Sequence, residues 1–399
     1  MFPGAVVVWL YAAFLLALGG FMTLRGHGAT NPYALMADAA MHGRLDVDPS
    51  LHDVAVTHGR GYYPFGPLPA IFLLPIVAMG GRDVPNFAIA VAALAAALPA
   101  LYRLARAQVE SRLATAWWVM AAVAGTPLLA CTFSDNAYYA AHVVVVACLG
   151  WALWLAIDGR FPLVAGILVG MAAATRFDAA LGLLPIALLQ ARATATGRRQ
   201  GLPGALMVVA GAAPFLVVLG GYNAARFGTP FESGYGLQQL NYPWLARLRG
   251  QGLFSLRHVP ENLYYLLVAG PVFADGARNL PTRFPWLVPS EWGMGILWTS
   301  PWLLGAVLAR GRRVIIVAAG AAVILLPSLL YYGVGWIQFG YRYALDALPF
   351  LFVLAIWGAG RLPGGRRTLI VLFMWSIVVN IWGDLWLVGF WGLPRANVG

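Results

Sequence analysis

The sequence contains no lysine. All 26 basic residues are arginine, and against 15 acids they leave a formal net charge of +11. Charge of either sign is scarce at 10% of residues, while 61% are hydrophobic. That balance excludes an ordinary soluble globular domain, whose interior could not hide so much apolar surface. There are two cysteines, Cys131 and Cys148, in or beside successive apolar runs at different expected depths. They argue against a disulfide, and the absence of any CxxC spacing removes a cysteine-based metal site. The first apolar run lacks a basic start and a small-residue cleavage site, so it reads as a retained helix, not a secretory leader. Internal repeats, low-complexity stretches and disordered composition are also absent.

What is present is a succession of apolar runs near the bilayer-crossing length of about 20 residues. They cover 2–24, 84–101, 113–131, 137–157, 163–191, 202–221, 295–309, 314–332, 343–357 and 369–390. The run 163–191 is long enough for two passes if it breaks near Arg176, which gives about eleven crossings. The expected fold class is therefore an all-α, polytopic integral membrane protein. A strongly basic chain can signal nucleic acid, but here the arginines sit in short clusters between apolar runs. These are Arg103, Arg106 and Arg112; Arg160; Arg192, Arg198 and Arg199; Arg310, Arg312 and Arg313; and Arg361, Arg366 and Arg367. Each cluster falls at every second turn, as the positive-inside rule requires of cytoplasmic loops. The N-terminus is then cytoplasmic and the C-terminus outside, as expected of a multi-pass protein of a bacterial inner membrane, and no nucleic-acid partner is implied. Nearly all acids and all six histidines map to the outer half, with only Glu110 and Asp158 clearly cytoplasmic.

Within this single domain, 1–399, two outer loops are long: 25–82 and 222–293. In the first, apolar residues at helical spacing over Tyr33 to Met41 predict a short helix along the membrane surface, stopped by His42-Gly43. A polar stretch through Asp46, Asp48 and Asp53 follows, then the turn-forming Gly59 to Pro69. Ala70 to Met79 is apolar but too short to span, and predicts a second interfacial helix. The second loop carries Tyr222 to Tyr235, an amphipathic middle from Leu253 to Phe273, and a Trp- and Pro-rich end at Phe284 to Trp292. Its aromatics suit an interfacial belt.

Several short patterns occur in order on the expected outer side. They are Asn31-Pro32-Tyr33, His42-Gly43 and Tyr62-Tyr-Pro-Phe-Gly66 in the first loop; Phe133-Ser-Asp-Asn136; Gly166-Ile-Leu-Val-Gly-Met-Ala-Ala-Ala-Thr-Arg176; and Gln338-Phe-Gly-Tyr-Arg-Tyr-Ala-Leu-Asp346. With the first helix and its large outer loop, they resemble the GT-C membrane glycosyltransferases, namely the protein mannosyltransferase, aminoarabinose transferase and oligosaccharyltransferase groups. The resemblance implies transfer of a sugar from a polyprenyl-phosphate carrier to a lipid, glycan or protein acceptor outside the cytoplasm. Where those relatives carry an acid at the start of the first interfacial helix, this chain has Ala29-Thr30-Asn31. The chain is also expected to end on a membrane helix, without the soluble C-terminal domain of the oligosaccharyltransferase and aminoarabinose groups, which weakens the case for a protein or lipid A acceptor. A lipid-linked sugar transporter or flippase, and a catalytically inactive GT-C-like scaffold, are the alternative functions.

Inverting transfer needs a carboxylate to take the acceptor's proton and cations to hold the departing phosphate. The catalytic candidates are Asp53, which precedes the returning turn, and Asp38, on the first interfacial helix. Asp135 lies at the outer end of one helix and within reach of the next, where an acid is usually functional or paired. A divalent metal shared by these acids and a histidine is possible by residue type. For the phosphate the candidates are Arg342, Arg176 and Arg226, since a guanidinium at membrane depth wants an anion and its fork fits phosphate. Asp178 and Asp346 are their competing partners. Tyr62, Tyr343 and Glu232 complete the binding candidates.

Overall fold

The computed structural model describes residues 30–195, 198–199, 201–240, 242–273 and 286–387. The first apolar run, Asp275 and residues 388–390 of the last run lie outside the described residues. Fifteen helices are named here. In the first loop these are α1 (Pro32–Met41) and α2 (Leu68–Gly80), separated by the hairpin β1 (Ala55–Thr57) and β2 (Arg60–Tyr62). Then come α3 (Asn86–Arg106), α4 (Arg112–Ala124), α5 (Leu128–Phe133), α6 (Ala137–Asp158), α7 (Pro162–Ala173), α8 (Leu183–Arg192) and α9 (Gly201–Phe227). The second loop holds α10 (Pro243–Arg249) and α11 (Val259–Leu267), and the chain continues through α12 (Ile296–Thr299), α13 (Val314–Leu330), α14 (Leu348–Ala359) and α15 (Gly365–Leu387).

Among the described residues five stretches are long and apolar enough to cross a membrane: Asn86–Arg106, Ala137–Asp158, Gly201–Phe227, Arg342–Ala359 and Gly365–Leu387. Four more apolar helices are shorter: α2, α4, α7 and α13. Breaks inside the apolar runs explain why fewer long helices appear than crossings expected. The run 163–191 divides at Thr175-Arg176, and 113–131 divides at Gly125-Thr126-Pro127, where the proline removes a helix donor. The run 295–309 yields only α12 and a 3₁₀ stretch, Pro301–Leu308, for the same reason. Freed carbonyls at two of these breaks are taken by side chains, as a lipid-embedded backbone demands. The Trp302 indole donates to Gly125 O at 3.0 Å, and Asn380 Nδ2 donates to Thr299 O at 2.6 Å.

Helix α6 is the central post: 83% of its apolar window is buried, against 28% for α9 and 33% for α15. It packs on α3 and α7, and α7 packs on α9. Glycines Gly166 and Gly211 face the backbone of the opposite helix in that last pair, so any side chain there would strike a carbonyl. Small residues of this kind let membrane helices approach without a hydrophobic driving force.

The long loops gather at one end of the bundle. Gln239 N donates to Val54 O at 3.0 Å, joining the two loops, and bridges link Phe254 to Tyr331 and Trp292 to Gln338. The Phe65-Gly66 turn lies on the end of α7, where Leu68 N donates to Ala174 O at 3.1 Å. At the opposite end Arg313 donates to Ile157 O at 3.2 Å and Arg103 sits 4.8 Å above the Trp154 ring.

Candidate functional site

Two helix breaks and one helix end deliver the three arginines to the loop end of the bundle. Arg176 sits in extended backbone where the α7 run stops, ahead of a 3₁₀ turn, Phe177–Gly182. Its Nε donates to Asp346 Oδ2 at 2.8 Å and its Nη2 to Asp178 Oδ2 at 3.1 Å. The other oxygen of Asp346 meets His142 Nδ1 at 2.8 Å, and neither of these two side chains has exposed surface. Both of Arg176's bonded partners are therefore acids, one of them held by a histidine from α6.

Arg342 is different. Sequence spacing offers it Asp346 at i+4, but residues Arg342–Ala347 form a 3₁₀ turn. At three residues per turn, i and i+4 point about 120° apart instead of the roughly 40° of an α-helix. The guanidinium donates instead to Gln338 Oε1 at 2.8 Å and lies 5.0 Å from the ring centres of both Tyr139 and Tyr343. Arg226, at the end of α9, donates to Tyr63 O at 2.6 Å and to Asn223 Oδ1 at 2.8 Å, with the Tyr222 ring 3.8 Å away. Both arginines are buried, at 8% and 3% exposure. Each keeps an Nε with no hydrogen-bond partner, and neither has a carboxylate within ion-pair distance among the described residues.

Tyr343 sits between two of the arginines, 5.8 Å from the Arg176 guanidinium as well. Tyr62 is buried edge-on against Phe227 at 5.6 Å, beside Arg226. Tyr235, which sequence reasoning passed over as one aromatic among many, lies within electrostatic reach of all three arginines. Burial pushes its phenol well above the ordinary value, with Arg176 pulling the other way.

Asp53 reaches the same region from the first loop. It has φ +63°, a left-handed conformation that an aspartate tolerates better than most residues. Gln238 Nε2 holds its carbonyl at 3.1 Å and also donates to the Tyr138 hydroxyl at 3.2 Å. That hydroxyl lies beside the Asp53 carboxylate and within reach of Tyr235. Burial and then Asp53 push the Tyr63 phenol up to about 12. His52 Nδ1 is 3.0 Å from Asp53 Oδ2, and this hydrogen bond raises the imidazole above its ordinary value against a smaller desolvation effect.

The remaining candidates have other partners. Asp38 lies on the half-exposed face of α1, 3.8 Å from both Arg82 and His42. Asp135 accepts from Asn86 N at 2.7 Å and so caps α3. Glu232 accepts from Gly234 N at 2.7 Å within its own turn. Asn31, at the position where the acid was expected, is buried, and its Oδ1 caps α1 through Tyr33 N and Ala34 N while Nδ2 donates to Val84 O at 2.8 Å. Among the described residues no three histidine, cysteine, aspartate or glutamate side chains converge as metal ligands. The acids considered for a shared metal are engaged separately, Asp38 with Arg82 and His42, Asp53 with His52 and Asp135 with Asn86, and do not fit one.

No family model matches the chain, and no curated protein matches it. Among solved structures it is similar to ArnT from Cupriavidus metallidurans bound to undecaprenyl phosphate, with a TM-score of 0.52 at 14% identity, covering 99% of this chain and 67% of that one. It also aligns with the Archaeoglobus fulgidus oligosaccharyltransferase in its apo form, with a TM-score of 0.45 at 12% identity, covering 96% of this chain and 56% of that one. The chain thus has a GT-C-like fold, over about two thirds of the length of the first of these proteins.

Proposed function

We propose that the chain moves a sugar from a polyprenyl-phosphate carrier to an acceptor on the extracytoplasmic side of a bacterial inner membrane. One observation carries this reading: Arg342 and Arg226 are buried guanidiniums, each with an unpaired N–H and no acidic partner among the described residues. A buried cation without a counter-charge is costly, and a phosphate supplies the missing acceptors. The GT-C-like fold and the undecaprenyl phosphate held by ArnT support the choice of anion.

In the proposed reaction Asp53 accepts the proton of the acceptor hydroxyl as its oxygen attacks the anomeric carbon of the donor sugar. The carbon–oxygen bond to the carrier phosphate breaks, and the phosphate leaves with the electron pair under Arg342 and Arg226. The sugar is inverted. Arg176, already paired with Asp346 and Asp178, orients the ring of Tyr343 and contributes field more than direct contact. Asp53 is preferred to Asp38 because it lies beside Tyr138 and Tyr63 at the cluster, whereas the neighbours of Asp38 are Arg82 and His42.

The test is binding of undecaprenyl phosphate to the purified protein. Wild type binds, and Arg342→Lys loses one charge-assisted hydrogen bond, worth about 1.5–3 kcal/mol or roughly ten- to a hundredfold in Kd. Normal binding by Arg342→Lys removes the phosphate role from this residue, and no binding by wild type overturns the reading.

A further inference from the structure

Just outside Arg342, three loop segments far apart in sequence bring four aromatic rings together. Tyr242 and Trp244 stand at the start of α10, Trp292 precedes α12, and Trp336 follows α13. The Trp292 and Trp336 rings are nearly parallel, 16° apart in plane and 5.9 Å between centres. Trp244 meets them edge-on at 5.3 Å and 6.2 Å, and Tyr242 meets Trp336 at 5.1 Å. All four rings remain partly exposed.

An interfacial belt puts aromatic rings singly against lipid headgroups; here they converge on one another. Glu291, which precedes Trp292 in the chain, is half-buried, and its carboxylate makes no hydrogen bond or ion pair among the described residues. An unpaired carboxylate is a poor neighbour for acyl chains. It suits a sugar, whose C–H faces stack on the electron-rich faces of aromatic rings while its hydroxyls donate to carboxylates.

The cluster is also fastened to the arginine. The fully buried Gln338 donates through Nε2 to Trp292 O at 2.8 Å and accepts Arg342 Nη1 on Oε1 at 2.8 Å. The intervening Ile337 has φ +47°, and its carbonyl is held by the Tyr139 hydroxyl. That strained conformation persists only because its surroundings impose it.

We infer that Tyr242, Trp244, Trp292 and Trp336 form a stacking platform for a pyranose ring of a glycan acceptor, with Glu291 receiving its hydroxyls. The inference rests on the transfer reading and narrows the acceptor to one bearing saccharide. Its test uses the full chain in nanodiscs, with cellohexaose and mannohexaose as soluble probes in saturation-transfer difference NMR. Saturation reaches the ring protons of at least one probe in wild type, disappears in Trp336→Ala and Trp292→Ala, and is partly kept in Trp336→Phe. Monodisperse elution and unchanged undecaprenyl-phosphate binding show that the variants are folded. In transfer to a glycan acceptor, Trp336→Ala raises KM roughly tenfold with kcat retained. No saturation of either probe in wild type overturns the platform. Quenching of the Trp336-dependent emission by brominated phosphatidylglycerol also overturns it, because the rings then face lipid. Saccharide binding without undecaprenyl-phosphate binding leaves the platform standing and defeats the transfer reading; the reverse pattern defeats the platform alone.

Discussion

Asp53 and His52 form a pair whose state changes with pH. The hydrogen bond to Asp53 raises the His52 pKa above the ordinary histidine value. The paired, charged form therefore exists at low pH and is lost as pH rises through that raised value, and any stabilisation it gives the loop is lost with it. A carboxylate occupied by an imidazolium is a weaker base. With Asp53 as the base, kcat/KM rises as His52 loses its proton, and His52→Gln removes this inflection from the pH profile. Asp53→Asn keeps the shape and removes the proton acceptor, which lowers the transfer rate about 100- to 10,000-fold while undecaprenyl phosphate still binds. Full activity in Asp53→Asn moves the base elsewhere, to Asp38 first. The residue types proposed for this site were legible in the sequence, and Arg342, Arg176, Arg226, Tyr62, Tyr343 and Asp53 all lie at the loop end. Their partners were not. Asp346 was assigned by spacing to Arg342 but is bonded to Arg176 and His142, because a 3₁₀ turn replaces the α-helical one.

At the scale of elements, the helices expected over Tyr33 to Met41 and Ala70 to Met79 occur as α1 and α2, each starting one or two residues earlier at a proline-containing first turn. Proline is well placed there because a helix's first donors are unpaired in any case. Asn31 shows how a departure from a family pattern can be structural: its amide caps α1 and ties that helix to the segment before α3. The turn at Gly66 holds the first loop against α7, and an added Cβ would collide with the Ala174 carbonyl, whereas Gly80 at the end of α2 has open space. Gly66→Val is expected to lower stability by about 1–3 kcal/mol through overpacking, and Gly80→Ala to leave it nearly unchanged. Thermal unfolding in detergent compares the two. Equal melting for both variants means that the loop is not seated on α7.

For the whole molecule, the alternation of arginine clusters and long loops predicts which end faces the cytoplasm. Both native cysteines are buried and free, so they give little background to impermeant thiol reagents. A cysteine at Phe231, which is 94% exposed in the second loop, should label from outside in intact cells, and one at Gly364 should not. Labelling of Gly364→Cys inverts the topology. The sequence by itself determined the membrane class, the helical character, the order of loops and the residue types available for chemistry, because hydropathy, charge clusters and turn residues are local properties. It also marked the break near Arg176. Tertiary structure decided what no local pattern carries. It determined where proline and glycine shorten spanning runs, and which acid neutralises which arginine. It left Arg342 and Arg226 without an acidic partner among the described residues, and it joined rings from three distant segments beside Arg342. Those outcomes depend on contacts between residues separated by tens to hundreds of positions, such as His142 with Asp346 and Trp244 with Trp336, and only packing of the folded bundle sets them.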